Sequence, residues 1–210
     1  MAPVHSDKEA VYTEILQTSK PKTIMSERPK IVLQSLRFCV NGPFASPLEE
    51  IISLKQVVCI GAGIGITPFA AVLRFLLERD DRKFPERINL IWLTPDPNQI
   101  LWFAWTISSL HTKCWEQNKP DRFHFSIHVT RNLTQTFVTR QYPLVACRIH
   151  TGRPVWTDVF QQLRNENTDG IVHVFGCGSR KLTRTLARHC ERTSCQPGGP
   201  TFRFVREAYS

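Results

Sequence analysis

The chain has 210 residues, of which 41% are apolar and 21% charged, and its formal net charge is +9. That composition supplies one buried core and excludes a disordered chain. The basic excess suits an anionic partner such as nucleic acid, anionic lipid or a phosphate-rich cofactor. The Lys and Arg residues are spread along the sequence without a recognisable nucleic-acid motif, so no nucleic-acid partner is expected.

The seven cysteines, Cys39, Cys59, Cys114, Cys147, Cys177, Cys190 and Cys195, are odd in number and none is spaced C-x-x-C. A disulfide framework or zinc site is not expected; reduced thiols in a cytosolic setting are. No run approaches the roughly 18 apolar residues that span a bilayer. The N-terminus, MAPVHSDKEA, lacks the apolar core of a signal peptide. The chain as given therefore reads as soluble, and is compatible with being the cytosolic part of something larger.

Residues 1–30 are polar and contain the linker-like SKPKTIMSERPK, so a flexible segment is expected there. IVLQSLRFCV (31–40) suits one or two short strands, stopped by the turn signal Asn41-Gly42-Pro43. QVVCI is a short apolar strand bounded by glycine. A helix follows in TPFAAVLRFLLERDD, with Thr67 as N-cap, Pro68 at the first helical position, and Phe69, Val72, Leu73, Leu76 and Leu77 at helical spacing. RINLIWLT (87–94) reads as a buried strand ending at Pro-Asp-Pro, and 98–118 as a helix.

FHFSIHVT (123–130) alternates as a third strand, while 131–152 fits two short segments, loops or an insertion. Helices are expected at 156–166 and 179–192, a fourth strand at 170–178, and a last strand or extended tail at 201–209. Strands and helices alternating at this spacing predict an α/β fold, an open, doubly wound parallel sheet with helices on both faces.

Gly61, Gly63 and Gly65 lie between a strand and a helix, where a phosphate-binding turn belongs. Glycine lets the backbone approach an anion, and the helix that follows offers free N–H groups and a positive dipole end. The same spacing also suits a tight corner with no ligand. The third glycine comes one residue early for G-x-G-x-x-G, leaving Ile66 at the final position. FGCGS (175–179) ends the fourth strand, so Cys177 would face the same crevice, either against a flat ring or as a buried strand thiol.

Arg131 ends the third strand and Arg153 lies in TGRP. Two guanidinium forks near one crevice suit a 2′-phosphate, although each alone reads as a solvated surface residue. Asp80, Asp81 and Asp96 are available for an unphosphorylated ribose, so spacing does not exclude NAD. The histidines read as structural; no metal site is expected. G-x-S-x-G and H-E-x-x-H are missing, and no G-K-[ST] follows the glycines, so a nucleotide-hydrolysing P-loop is not expected.

Taken together, NGPFASPLEE, GAGIGITPFA, IWL, LWFAW, TGRPVW, VFGCGS and the terminal REAYS resemble, in order, the C-terminal dehydrogenase portion of the NADPH oxidase family, within the ferredoxin-reductase superfamily. The resemblance runs from about Ile31 to Ser210, and GPFASPLEE, CWEQNKPD and REAYS are most similar to the family's type-four branch. It implies a ferredoxin-reductase-like NADP-binding domain over 51–210, preceded at 31–50 by the last strand and turn of a truncated flavin-binding barrel.

By position, the resemblance implies that Gly61, Gly63, Gly65, Ile66, Thr67 and Pro68 form the pyrophosphate turn. Thr130 and Arg131 would hold the 2′-phosphate, and Arg153 the NADPH. Cys177 and Gly178 would lie beside the nicotinamide; Tyr209 would cover the flavin ring, with Glu207 the acidic residue before it. Pro95 stands where the family has an arginine, Ser179 where it has proline, and Asn41 where it has aspartate.

The implied activity is that of a membrane oxidoreductase that passes a hydride from NADPH to FAD and electrons through haem to oxygen, giving superoxide or hydrogen peroxide. This portion would face the cytosol, and a small membrane accessory subunit would be the partner of the full-length protein. The flavin and haem motifs do not occur in these 210 residues, so the chain reads as a fragment or isoform that is inactive alone. A ferric-chelate reductase domain and a non-catalytic truncated module are the alternatives.

Overall fold

The computed structural model describes residues 47–79, 85–131, 138–167 and 169–207. All lie in Phe44–Ser210, the second of the two compact units into which the chain divides. The expected segment 1–30, the strands of 31–40, the Asn41-Gly42-Pro43 turn, Asp80, Asp81 and Tyr209 fall outside the described residues.

Six strands form one sheet: β1 (Gln56–Ala62), β2 (Arg87–Thr94), β3 (Phe123–Val129), β4 (Ile149–Thr151), β5 (Ile171–Cys177) and β6 (Thr201–Glu207). Every pairing is parallel and the order is β4-β3-β2-β1-β5-β6. The chain thus steps outward from β1 to β4, then crosses back to lay β5 on the other side of β1. This reversal is the doubly wound switch point, and it leaves a crevice beyond the carboxyl ends of β1 and β5.

Helices α1 (Thr67–Glu78), α2 (Leu101–Glu116), α3 (Val138–Gln141), α4 (Pro143–Ala146), α5 (Trp156–Glu166) and α6 (Arg180–Ser194) complete the fold. The central strands are apolar on both faces, as a covered parallel sheet requires. Val57, Cys59, Leu90, Trp92 and Phe175 pack with α1 and α2, while Val58, Ile60, Leu93 and Val174 pack with α5 and α6. β3 alternates instead: Phe123, Phe125, Ile127 and Val129 are buried, and the residues between them are half-buried.

Two local features differ from the sequence reading. Thr67 is the first residue of α1 rather than its N-cap: a 3₁₀ turn, Gly63–Ile66, runs straight into the helix. The Thr67 hydroxyl donates back to the Ile64 carbonyl at 2.9 Å. The helix expected over 98–118 is split into a 3₁₀ turn at Pro97–Ile100 and α2, because Asp96 Oδ1 caps the Asn98 N–H at 2.9 Å. Between residues 131 and 152, the short helices α3 and α4 lead into β4. Among the described residues no helix is long and apolar enough to cross a membrane.

Candidate functional site

The crevice at the switch point is built by three turns. At the end of β1, Gly63 adopts φ +56°, a conformation that glycine enters without strain, and open space lies on its side-chain side. Two residues on, Gly65 is buried against β5: a Cβ there would lie 2.5 Å from the Cys177 carbonyl oxygen and 3.3 Å from Sγ. Glycine at 65 is therefore what lets the start of α1 sit directly on the end of β5. Gly61 is also constrained, since its Cβ would meet the Gly65 carbonyl oxygen at 3.0 Å. Ile66 is 1% exposed and packs into the α1–α2 core.

Register sets the next layer. Gly61, Cys177 and Glu207 are cross-strand neighbours on β1, β5 and β6. Cys177 is 2% exposed, and burial raises its thiol pKa, with the Glu207 charge adding in the same direction. At neutral pH the thiol is protonated, so it is no thiolate nucleophile. Gly178 turns out of β5 and packs so closely that a Cβ would lie 3.0 Å from that of Ala62. Ser179 then caps α6, its hydroxyl accepting the Leu182 N–H at 3.3 Å.

These turns open onto a cleft of about 730 Å³. Gly63 and Ser179, from the turns after β1 and β5, line it together with Leu93, Pro95, Thr130, Arg131 and Arg153, from the ends of β2, β3 and β4. The Thr130 N–H donates to the Thr94 carbonyl at 2.8 Å, which holds the start of the β3–α3 loop beside the end of β2. Arg131 and Arg153 are exposed, and Thr130 is half-buried.

The structure thus brings Gly63, Thr130, Arg131 and Arg153 to one cavity, while Gly65, Cys177 and Gly178 pack at the ends of β1 and β5 and do not line it. Thr67 and Pro68 stand at the start of α1 and do not line the cleft. Glu207 is two strands away from β1 in the sheet.

Sequence reasoning passed over Trp156, Lys181 and Thr185, which close the cleft from α5 and α6. The signal was the strand–turn–helix at FGCGS: the first turn of a helix that starts at the switch point faces the crevice. Asp96, the ribose candidate among the described residues, does not line the cleft and is engaged as a cap.

The chemistry of the donor set tests the fit to a phosphate-bearing nucleotide. The cleft holds three cations, Arg131, Arg153 and Lys181, and no carboxylate among its lining residues. Its volume suits a drug-sized or cofactor-sized ligand. A glycine turn with free space over Gly63 and two helix starts complete an environment that favours negative charge. These residues fit a dinucleotide with an additional phosphate.

Comparison with known proteins agrees with this geometry. Residues 54–191 match the family described as the ferric reductase NAD binding domain. Among curated proteins, the chain is 31% identical to human NADPH oxidase 4 over 172 residues, covering 81% of this chain and 29% of that protein. Human NADPH oxidase 3 is 28% identical over 193 residues (82% of this chain, 33% of that protein). Human NADPH oxidase 5 is 27% identical over 226 residues (88% and 28%). The chain therefore spans less than a third of the length of NADPH oxidase 4.

Proposed function

Because the chain belongs to the ferric reductase NAD-binding domain family, we propose that it is the NADPH-binding part of an NADPH oxidase, with residues 51–210 as that domain. The observation that carries this reading is the cleft at the switch point, with Arg131 and Arg153 on one side and no carboxylate lining it. A bare ribose is held best by an acidic residue, whereas a 2′-phosphate calls for guanidinium forks. The relatives described above are oxidases, which disfavours the ferric reductase alternative.

In this reading Gly61, Gly63 and Gly65 shape the pyrophosphate turn, Ile66 anchors it in the core, and Thr67 and Pro68 start the helix whose positive end faces the phosphates. Thr130 and Arg131 hold the 2′-phosphate, and Arg153 binds from the β4 side. Cys177 and Gly178 present a flat, uncharged surface to the nicotinamide; the protonated thiol neither attacks nor repels it. NADPH, when bound, supplies the hydride. Glu207 and Tyr209 belong to the side on which the flavin is placed, and residues 31–50 to the flavin-binding part.

The longer protein would carry FAD and haem, span a membrane with this portion in the cytosol, and pair with a small membrane accessory subunit. Its overall reaction would move a hydride from NADPH to FAD and electrons through haem to oxygen, giving superoxide or hydrogen peroxide.

Titration of the purified chain with NADPH and NADH tests the proposal. NADPH should bind weakly and NADH more weakly still, with Arg131→Ala costing about tenfold in NADPH affinity. The chain alone should oxidise no NADPH. Failure to bind either nucleotide would contradict the reading, as would NADPH oxidation without an added flavoprotein.

A further inference from the structure

We propose that Lys181 is a specificity-determining residue of the cleft, taking the 2′-phosphate of NADPH from the side opposite Arg131 and Arg153; the inference rests on the reading of the cleft as an NADPH site. Arg131 and Arg153 follow β3 and β4, and Lys181 lies in the first turn of α6 after β5, so the three cations approach from the two sides of the switch point.

The placement of Lys181 is unlike that of the other cations on its helix. Arg180, Arg184, Arg188 and Arg192 follow one another at four-residue spacing, so they share one face of α6; they are exposed, as Lys181 is. None of these four lines the cleft. Lys181 lines it together with Leu182 and Thr185, the latter one turn further on.

Local electrostatics oppose a lysine at that point. The first turn of a helix carries the positive end of the dipole and favours acidic side chains. The first turn of α6 holds Arg180 and Lys181 and no acid. Among the described residues Lys181 forms no salt bridge. An anion in the cleft removes this unfavourable arrangement.

Position along the cleft selects which phosphate. Gly178 and Ser179 stand at the glycine turn, where Gly178 packs against Ala62. Lys181 follows Ser179 by two residues and lines the cleft from the helix side, with Thr185 on α6 and Trp156 on α5. The glycine turn already offers backbone N–H groups to the pyrophosphate. At the end of β2 the cleft has Pro95, which brings neither charge nor an N–H. The 2′-phosphate end therefore draws its counter-charge from the flanks, and the flexible four-carbon stem of lysine lets the ammonium reach it.

The test compares NADPH and NADH dissociation constants, measured calorimetrically on the 210-residue chain, for wild type, Lys181→Ala, Lys181→Arg and Arg188→Ala. Lys181→Ala should weaken NADPH about tenfold and NADH less than about twofold, the loss of one charge-assisted contact to the extra phosphate. Lys181→Arg should restore most of the NADPH affinity, and Arg188→Ala should change neither constant. An unchanged NADPH constant in Lys181→Ala would overturn the assignment while leaving the NADPH reading intact. Equal weakening of both nucleotides would overturn the 2′-phosphate role. A wild-type chain that binds neither nucleotide would overturn the NADPH reading and this inference with it.

Discussion

Gly65 sits so tightly on Cys177 that a Cβ at position 65 would come within 2.5 Å of the Cys177 carbonyl oxygen. The glycine turn and the end of β5 are thus one packed unit at the switch point.

Gly65 and Gly63 should fail in different ways. Gly65→Ala overpacks the contact with β5 and should cost about 2–3 kcal/mol. Gly63→Ala meets no neighbour within 4 Å but must hold φ +56°, which should cost about 1–2 kcal/mol. The order of substitutions separates the two causes. At 63, Asn should be tolerated better than Ala, because Asn enters the left-handed region more readily. At 65, Asn should be worse than Ala, because it is larger. Urea midpoints of the four variants check this; the same order at both positions would contradict it.

Burial raises the Cys177 thiol, and Glu207 pushes the same way. Cys147 and Cys195 are exposed. Iodoacetamide at neutral pH should therefore label the Cys147 and Cys195 peptides well before the Cys177 peptide. Peptide mass spectrometry over a time course measures the order. Alkylation of Cys177 as fast as Cys195 would contradict a buried, protonated thiol.

Much of the fold was legible because its strands are short apolar runs separated by amphipathic helices. RINLIWLT is β2 from Arg87 to Thr94, and WTDVFQQLRNE is α5 from Trp156 to Glu166. Helix starts were less legible. Thr67 has the composition of an N-cap, but the buried 3₁₀ turn at Gly65 and Ile66 carries the helical path through it. The site was legible where glycine spacing implied backbone approach, at Gly63 and Gly65. That Lys181 lines the cleft was not, since this depends on which face of α6 meets it, a matter of tertiary packing rather than local pattern.

His128 and His150 are cross-strand neighbours on β3 and β4, with rings stacked at a 5.0 Å centroid separation. Burial, with the neighbouring His150 charge adding to it, pushes the His128 pKa down to about 4. In the unfolded chain His128 takes up a proton near its ordinary value of 6.5, and in the folded chain only near 4. The unfolded state then binds more protons between those values, so His128 contributes stability above about pH 6.5 that is lost as pH falls toward 4. Denaturant unfolding at pH 7 and pH 5 should show a smaller drop for His128→Gln than for the wild-type chain. An equal drop in both would remove His128 from the acid sensitivity.

The central claim is that a nucleotide occupies the crevice at the carboxyl ends of β1 and β5. Two other depressions are comparable in size: one of about 600 Å³ lined by Leu77, Ser108 and Thr112, and one of about 560 Å³ lined by Gln56, Asn118 and Arg122. Amide chemical-shift mapping during titration with NADP⁺ tells the three apart. The largest shifts should fall on Gly63, Gly65, Gly178 and Arg131. Shifts confined to Ser108–Thr112 or to Asn118–Arg122, or no saturable shift, would contradict the account.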